Sequence, residues 1–293
     1  MSARPIRPLV LGAGGLLGRA LMARLEEEFP DAVGATRAEV DLLDRFRMEA
    51  EIERLEANVV INCAAWTDVE GCTRDPARAR QVNAEGAENV ARAAAGSDGR
   101  IVQVSTDFVF DGRKGSPYVE TDPPGPLSAY GVSKLEGEMR VAVACPDHLI
   151  VRTAWLYGEG GRDFVGKILR AAAGEGPLKV VHDERGSPSY AADIADGIVR
   201  LLRVPHRGVV HLVNRGGVSR LEFARAILEE AGLAARVRLL PTAAAMLGSA
   251  TVRPADASLD TALFTRLTGH EPRPWRTALA DFLATHPADP GGH

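Results

Sequence analysis

The sequence predicts an α/β protein: a doubly wound parallel sheet with helices on both faces, and a smaller C-terminal lobe. Three observations carry this reading. Short β-branched runs alternate with longer segments whose apolar residues recur at three- and four-residue steps, the helical period. The strand runs are apolar throughout rather than alternating, as strands buried on both faces must be. A glycine-rich turn joins the first run directly to the first helical segment.

The predicted strands are PLVLG (Pro8 to Gly12), DAVGA (Asp31 to Ala35), NVVINCAA (Asn58 to Ala65), RIVQVST (Arg100 to Thr106) and HLIVRTA (His148 to Ala154). Between them GRALMARLEEEF, ARARQVNAEGAENVARAAAG and YGVSKLEGEMRVAV read as amphipathic helices. After about Thr153 the alternation becomes irregular, so residues 1–153 are expected to form the nucleotide-binding domain and 154–293 mainly the second lobe. LKVVHD and GVVHLV are further strand candidates there, and part of this region is expected to return to the sheet. SRLEFARAILEEAG reads as a helix opened by a capping box of Ser219 and Glu222.

Composition excludes several function classes. The 293 residues carry a net charge of -4 with no basic block, which argues against an electrostatic grip on nucleic acid. No run approaches the roughly 20 apolar residues that span a bilayer. The opening MSARPIRPLVLGAGG places basic residues before an apolar patch, but glycines end that patch short of an export signal. A cytoplasmic protein acting on a small molecule is the expectation. Cys63, Cys72 and Cys145 lack the count and spacing of a disulfide framework, and Cys63 reads as a core residue. The scattered histidines offer no ligand pair, so no metal site is expected from the sequence pattern.

GAGGLLG, from Gly12 to Gly18, is the turn that a bound pyrophosphate requires. Gly12, Gly14 and Gly15 allow positive φ and close backbone approach at the N-terminus of a helix. This is the phosphate turn of a Rossmann-type sheet, and it predicts a dinucleotide cofactor. The second strand ends in GATRAEVDLLD, with Thr36 and Arg37 where NAD-preferring sites place an acid. Arg37 is suited to a 2′-phosphate and favours NADP(H), with NAD(H) left open. Asp41 is better placed near the adenine.

The fourth strand ends in Ser105, Thr106 and Asp107, at the carboxyl edge where such sheets bind ligands. YGVSK follows, and in a helix Tyr130 and Lys134 share one face. An ammonium beside a phenol is expected to lower its pKa toward working pH. A hydroxyl from Thr106 or the adjacent Ser105 would hydrogen-bond a substrate oxygen. Together these predict a carbonyl reductase in which Tyr130 supplies the proton.

With GAGGLLG, INCAAWTDVEGC, VNAEG, VSTDFVFDG, YGVSKLEGE, RTAWLYG and RPADASLD, the chain resembles the extended short-chain dehydrogenase/reductase superfamily, and within it the dTDP-4-dehydrorhamnose reductases. These motifs run from Gly12 to about Asp260. The resemblance implies NADP(H)-dependent reduction of a nucleotide-linked 4-keto-6-deoxy sugar to dTDP-L-rhamnose. It implies that Gly15, Leu16 and Leu17 line the pyrophosphate, Asp41 and Leu42 the adenine, and Ala65, Trp66 and Thr67 the nicotinamide side. Thr106 and Asp107 would meet the sugar, Lys134 the nicotinamide ribose, Trp155 the sugar face and Arg253 the nucleotide end. A homodimer with Mg2+ at its interface is implied by the resemblance alone; no residue pattern carries either.

Two departures stand out. Trp66 replaces the usual His or Tyr, and Gly71-Cys72 replaces a common Ala-Glu, removing a carboxylate. Within enzymes the rival reading is another nucleotide-sugar 4-ketoreductase or epimerase. Outside them it is a non-catalytic NADP-binding regulatory subunit, against which the full set of catalytic positions counts.

Overall fold

A computed structural model describes residues 5–160, 163–174 and 176–286. Its central sheet has six parallel strands. β1 (Pro8–Leu11), β2 (Val33–Ala35), β3 (Val59–Asn62), β4 (Arg100–Thr106) and β5 (His148–Thr153) lie within the runs read from the sequence. The sixth, β6 (Gly208–His211), comes from beyond Thr153 and pairs with β5, Val210 opposite Val151. The order is β6-β5-β4-β3-β1-β2, so the winding reverses at β1. A crevice opens at the carboxyl ends of the strands on either side of such a reversal.

The continuous apolar strands divide by residue parity between two helix layers. Val10, Ile61 and Val102 pack with Leu17, Leu21 and Leu25 of helix Leu16–Glu26 and with Ile194 and Ile198 of helix Ala191–Leu202. Leu9, Leu11, Val60 and Ile101 face the other way, against Met48, Val90 and Val141 of helices Arg45–Arg54, Gly86–Gly96 and Ala129–Ala144. The second lobe has its own core of Tyr157, Phe223 and Phe282 between helices Phe164–Ala172, Arg220–Glu230 and Trp275–Thr285. Ser219 and Glu222 close the capping box expected at the start of the second of these helices. Among the described residues no helix is long and apolar enough to cross a membrane.

One expected helix is not continuous. The stretch ARARQVNAEGAENVARAAAG forms Pro76–Arg80, a π turn at Gln81–Glu85, and then Gly86–Gly96. The extra residue of a π turn turns one side chain out of the helical repeat. Asn83 is buried in that turn. Its amide accepts from the Trp66 nitrogen at 2.7 Å and donates to the Trp66 carbonyl at 3.0 Å and the Ser133 hydroxyl at 3.0 Å. The π turn thereby ties the loop after β3 to the helix carrying Tyr130.

That helix also approaches the π turn closely at Gly137, where an added Cβ would lie 2.3 Å from the Asn83 carbonyl oxygen. Alanine is favoured over glycine inside a helix by about 1 kcal/mol. A backbone oxygen held in a packed turn cannot move aside, and overpacking costs about 1–3 kcal/mol. The clash wins, so Gly137→Ala is expected to destabilise the protein by about 2 kcal/mol, read as a lower urea midpoint with an unchanged slope.

Candidate active site

The glycine turn, the end of β4 and the start of helix Ala129–Ala144 open onto a single cleft of about 1290 Å³ between the sheet edge and the second lobe. Every candidate cofactor, catalytic or substrate residue named from the sequence lines it: Gly12, Gly14, Gly15, Leu16, Leu17, Arg37, Asp41, Leu42, Ala65, Trp66, Thr67, Thr106, Asp107, Tyr130, Lys134, Trp155 and Arg253. Its volume exceeds the roughly 300–1,000 Å³ of a pocket for one small ligand.

At one end the chain leaves β1 through Gly12, whose φ is 76° and whose missing Cβ would lie 2.8 Å from the Ala64 nitrogen. Gly18 lets the first helix sit on this turn, since a Cβ there would be 2.1 Å from the Gly12 oxygen. Gly15 caps the helix without a side-chain acceptor, and the first turn holds no acid. Its N–H groups and positive end therefore remain available to an anion. Arg37 is exposed beyond β2, its Nε 3.4 Å from Asp41. These residues fit a dinucleotide pyrophosphate, with a cation rather than an acid at the ribose end.

At the other end Ser128 caps the helix through the Gly131 N–H at 3.1 Å, which seats Tyr130 in its first turn. The Phe108 ring packs edge-on against Tyr130 with centroids 5.4 Å apart. Ser105 and Thr106 alternate along β4, and this separates the two candidate hydroxyls. Ser105 donates to Glu138 at 2.5 Å, while Thr106 accepts from the Phe108 N–H at 3.2 Å and donates to Asp107 Oδ1 at 2.9 Å. Thr106 is thus the hydroxyl next to Tyr130. Lys134 is buried and donates to the Val104 carbonyl at 2.8 Å.

The electrostatics differ from the sequence expectation. Burial drives the Tyr130 phenol above its ordinary value, against a lowering by the Thr106 hydroxyl. Burial also lowers Lys134 to about 8, with Glu138 and Cys63 pulling the other way. Desolvation of an enclosed phenol is the larger effect here, because the Lys134 ammonium is engaged by the strand carbonyl. The phenol consequently keeps its proton at neutral pH, the form a general acid needs. Cys63, read as a core residue, packs against the main core and also lines the cleft near Lys134, with burial pushing its thiol up to about 12.

The second lobe lines the cleft with a mainly cationic wall that no sequence pattern marked: Lys167, Lys179 and Arg220 beside Arg253, with Glu184 3.9 Å from each arginine. The Arg220 guanidinium lies 3.4 Å from the centroid of Trp155 and 4.9 Å from that of Phe164. Trp155 adopts φ 42° and fits over Gly186, where a Cβ would lie 2.4 Å from its ring. Left-handed backbone at a bulky residue is strained and persists where packing over-determines it. Arg253 reaches Glu70 at 3.2 Å, and Ser249 and Thr251 donate to the same carboxylate at 2.7 and 3.0 Å. Arg19 also escaped the sequence reading: it donates to the Gly14 carbonyl and, at 2.9 Å, to that of Glu159.

The two departures prove to be coupled. A Cβ on Gly71 would lie 2.5 Å from Oδ2 of Asp68, an exposed side chain that can turn aside, and 2.8 Å from Cζ2 of Trp66, so the wide indole occupies space that glycine vacates. Gly71→Ala is expected to cost about 2 kcal/mol alone and much less in a Trp66→His background, a coupling near 1 kcal/mol in a double-mutant cycle of denaturation midpoints.

Asp107 is buried with Oδ2 unpartnered, and burial raises its carboxyl from 3.8 to about 7, partly offset by Thr106 and Arg220. The folded state therefore holds this proton more tightly than the unfolded chain. Stability from this group is full below about pH 4 and is lost as pH rises toward 7. Asp107→Asn removes the penalty and is expected to raise stability by about 1 kcal/mol at pH 8 and by less at pH 5, measured as Tm.

The comparisons with known proteins bear on this geometry. The family model described as the RmlD substrate binding domain matches residues 6–287. The chain is 43% identical to the dTDP-4-dehydrorhamnose reductase of Mycobacterium tuberculosis, over 97% of this chain and 94% of the relative. It is 38% identical to that of Streptomyces griseus, over 94% and 92%. A crystal structure of dTDP-4-dehydrorhamnose reductase from Bacillus anthracis in complex with NADP superposes with a TM-score of 0.92 at 32% identity, covering 96% of this chain and 100% of that one.

Proposed function

The chain belongs to the RmlD substrate-binding-domain family, that of the dTDP-4-dehydrorhamnose reductases, and on that premise we propose that it reduces the 4-keto group of dTDP-4-dehydro-6-deoxy-L-mannose to give dTDP-L-rhamnose in the cytoplasm. One observation supports this above the others: Tyr130, Lys134 and Thr106 meet at the carboxyl edge of β4, in the same cleft as the glycine turn. NADPH, when bound, supplies the hydride. The turn Gly12, Gly14, Gly15, Leu16 and Leu17 is suited to its pyrophosphate, Arg37 to the 2′-phosphate, and Asp41 and Leu42 to the adenosine. Ala65, Trp66 and Thr67 border the nicotinamide side.

Each proton has an assigned path in this reading. The Tyr130 hydroxyl hydrogen-bonds the ketone oxygen and gives up its proton as the alkoxide forms. Thr106 holds the same oxygen by turning its one hydroxyl proton to it from Asp107 Oδ1, and the Asp107 carboxyl so released meets a sugar hydroxyl. The phenolate left on Tyr130 is stabilised by the Lys134 ammonium one helical turn away and by the positive end of the helix. A group whose proton is bound tightly in the ground state is a poor donor unless the product anion is stabilised, and these two charges supply that stabilisation. Trp155 offers an aromatic face to the sugar. The cationic wall, with Arg220 and Arg253 foremost, is suited to the diphosphate.

The reading is tested by NADPH consumption with the keto sugar, run in parallel with NADH, and by analysis of the product's configuration. Tyr130→Phe is expected to lower kcat by roughly 10²–10⁴-fold while NADPH binding, followed by fluorescence titration, stays within about threefold. Turnover like that of the unmodified enzyme in this variant would overturn the proton assignment.

A further inference from the structure

Helix Ala129–Ala144 buries an unusual stripe. Tyr130, Lys134 and Glu138 follow one another at four-residue intervals on its inner face, with Val141 after them. An amphipathic helix normally gives such positions to apolar residues. The proposed reaction accounts for the first two; Glu138, the last residue of YGVSKLEGE, has no part in it.

Glu138 is as enclosed as a core residue, its side chain 5% exposed, and both its oxygens are occupied. Oε1 accepts from the Ser105 hydroxyl at 2.5 Å and from Arg152 Nε at 2.9 Å; Oε2 accepts from Arg152 Nη2 at 2.7 Å. Ser105 on β4 and Arg152 on β5 stand directly opposite each other in the sheet. One carboxylate thus clamps a cross-strand pair to the helix. The clamp is made through Ser105, between Val104, whose carbonyl receives Lys134, and Thr106; all three line the cleft.

We propose that Glu138 is a positioning residue for the reduction: it holds the end of β4 against the helix and keeps Lys134 in the ammonium form. The inference rests on the reductase reading above. An ammonium enclosed by protein is destabilised by loss of water, and a carboxylate one turn away on the same face opposes that loss. The titratable groups that act on Lys134 are Glu138 on its own helix and Cys63 after β3; Tyr130 lies one turn before it, and Arg152 on β5 is bound to the carboxylate. Of these only Glu138 favours the charged form at neutral pH, because the phenol and thiol are both held protonated by burial. Without the carboxylate, the Arg152 guanidinium would be left buried and uncompensated. Lys134, at about 8, loses its proton as pH rises, so proton donation is supported below that value and lost above it.

The test is the pH dependence of kcat with NADPH and the keto sugar. Unmodified enzyme that fails to turn over this sugar overturns the reductase reading and not the clamp. Given turnover, Glu138→Gln is expected to move the alkaline limb down by about one pH unit or more, the lower part of the range for loss of a nearby opposite charge. At pH 8 kcat falls about fivefold or more, as the protonated fraction of a group near 8 falls when it moves down by about one unit, while KM for both substrates stays within about threefold. Glu138→Asp, shorter but charged, restores part of the limb. Because Glu138→Gln strands a buried guanidinium, Glu138→Gln/Arg152→Gln is measured alongside, and a smaller downward move is expected there. A folded variant with an unchanged alkaline limb, or a loss of kcat uniform across pH, overturns the proposal.

Discussion

The cleft depends on keeping one ammonium, that of Lys134, away from water without losing its proton. Burying an isolated charge costs several kcal/mol, and the usual outcome is neutralisation. Here the Val104 carbonyl takes one N–H of the ammonium, and the carboxylate of Glu138 lies a turn further along the same face. Glu138 is in turn neutralised by Arg152 and bound by Ser105. The charges run in alternating sign from the cleft into the sheet, so each is compensated by the next. Tyr130 stands at the end of this row that lines the cleft.

Such a row requires backbone placed to within a few tenths of an ångström, and two glycines explain how it is achieved. Gly131 brings the start of the Tyr130 helix against the Phe108 carbonyl, and Gly137 brings its middle against that of Asn83. A side chain at either position would lift the helix from β4 and separate Lys134 from Val104. Asn83 then extends the constraint to Trp66 across the cleft. The π turn serves this purpose: a regular helix would carry Asn83 out of reach of the Trp66 backbone.

The sheet and its cleft were legible in the sequence because both rest on local patterns. Apolar runs without alternation, the GAGGLLG turn and the Tyr130–Lys134 spacing each need only a short window. The carboxyl edge of a parallel sheet then forces strand-end residues such as Thr106 together with the glycine turn. What escaped the reading depends on distant contacts. Arg220 stacks on Trp155 from 65 residues away, and nothing around SRLEFAR marks it beyond a capping box. The choice between Ser105 and Thr106 needed the partner of Ser105, found 33 residues on at Glu138. The protonation of Tyr130 was misjudged for a similar reason. Spacing places an ammonium near the phenol, but only the fold shows how dry the phenol is and where the ammonium points.

The departure at Gly71-Cys72 illustrates how a lost carboxylate need not mean a lost contact. Glu70, one residue earlier, accepts from Ser249, Thr251 and Arg253, and Thr73 meets Thr251 at 2.7 Å. The short helix Val69–Arg74 therefore still holds the loop of the second lobe that carries Arg253. Gly71 meets a different constraint, the Asp68 carboxylate on one side and the width of Trp66 on the other. A larger residue there would push the indole toward the cleft or push the helix, and Glu70 with it, away from Arg253. The indole, the glycine and the Glu70 clamp thus form one mechanical unit.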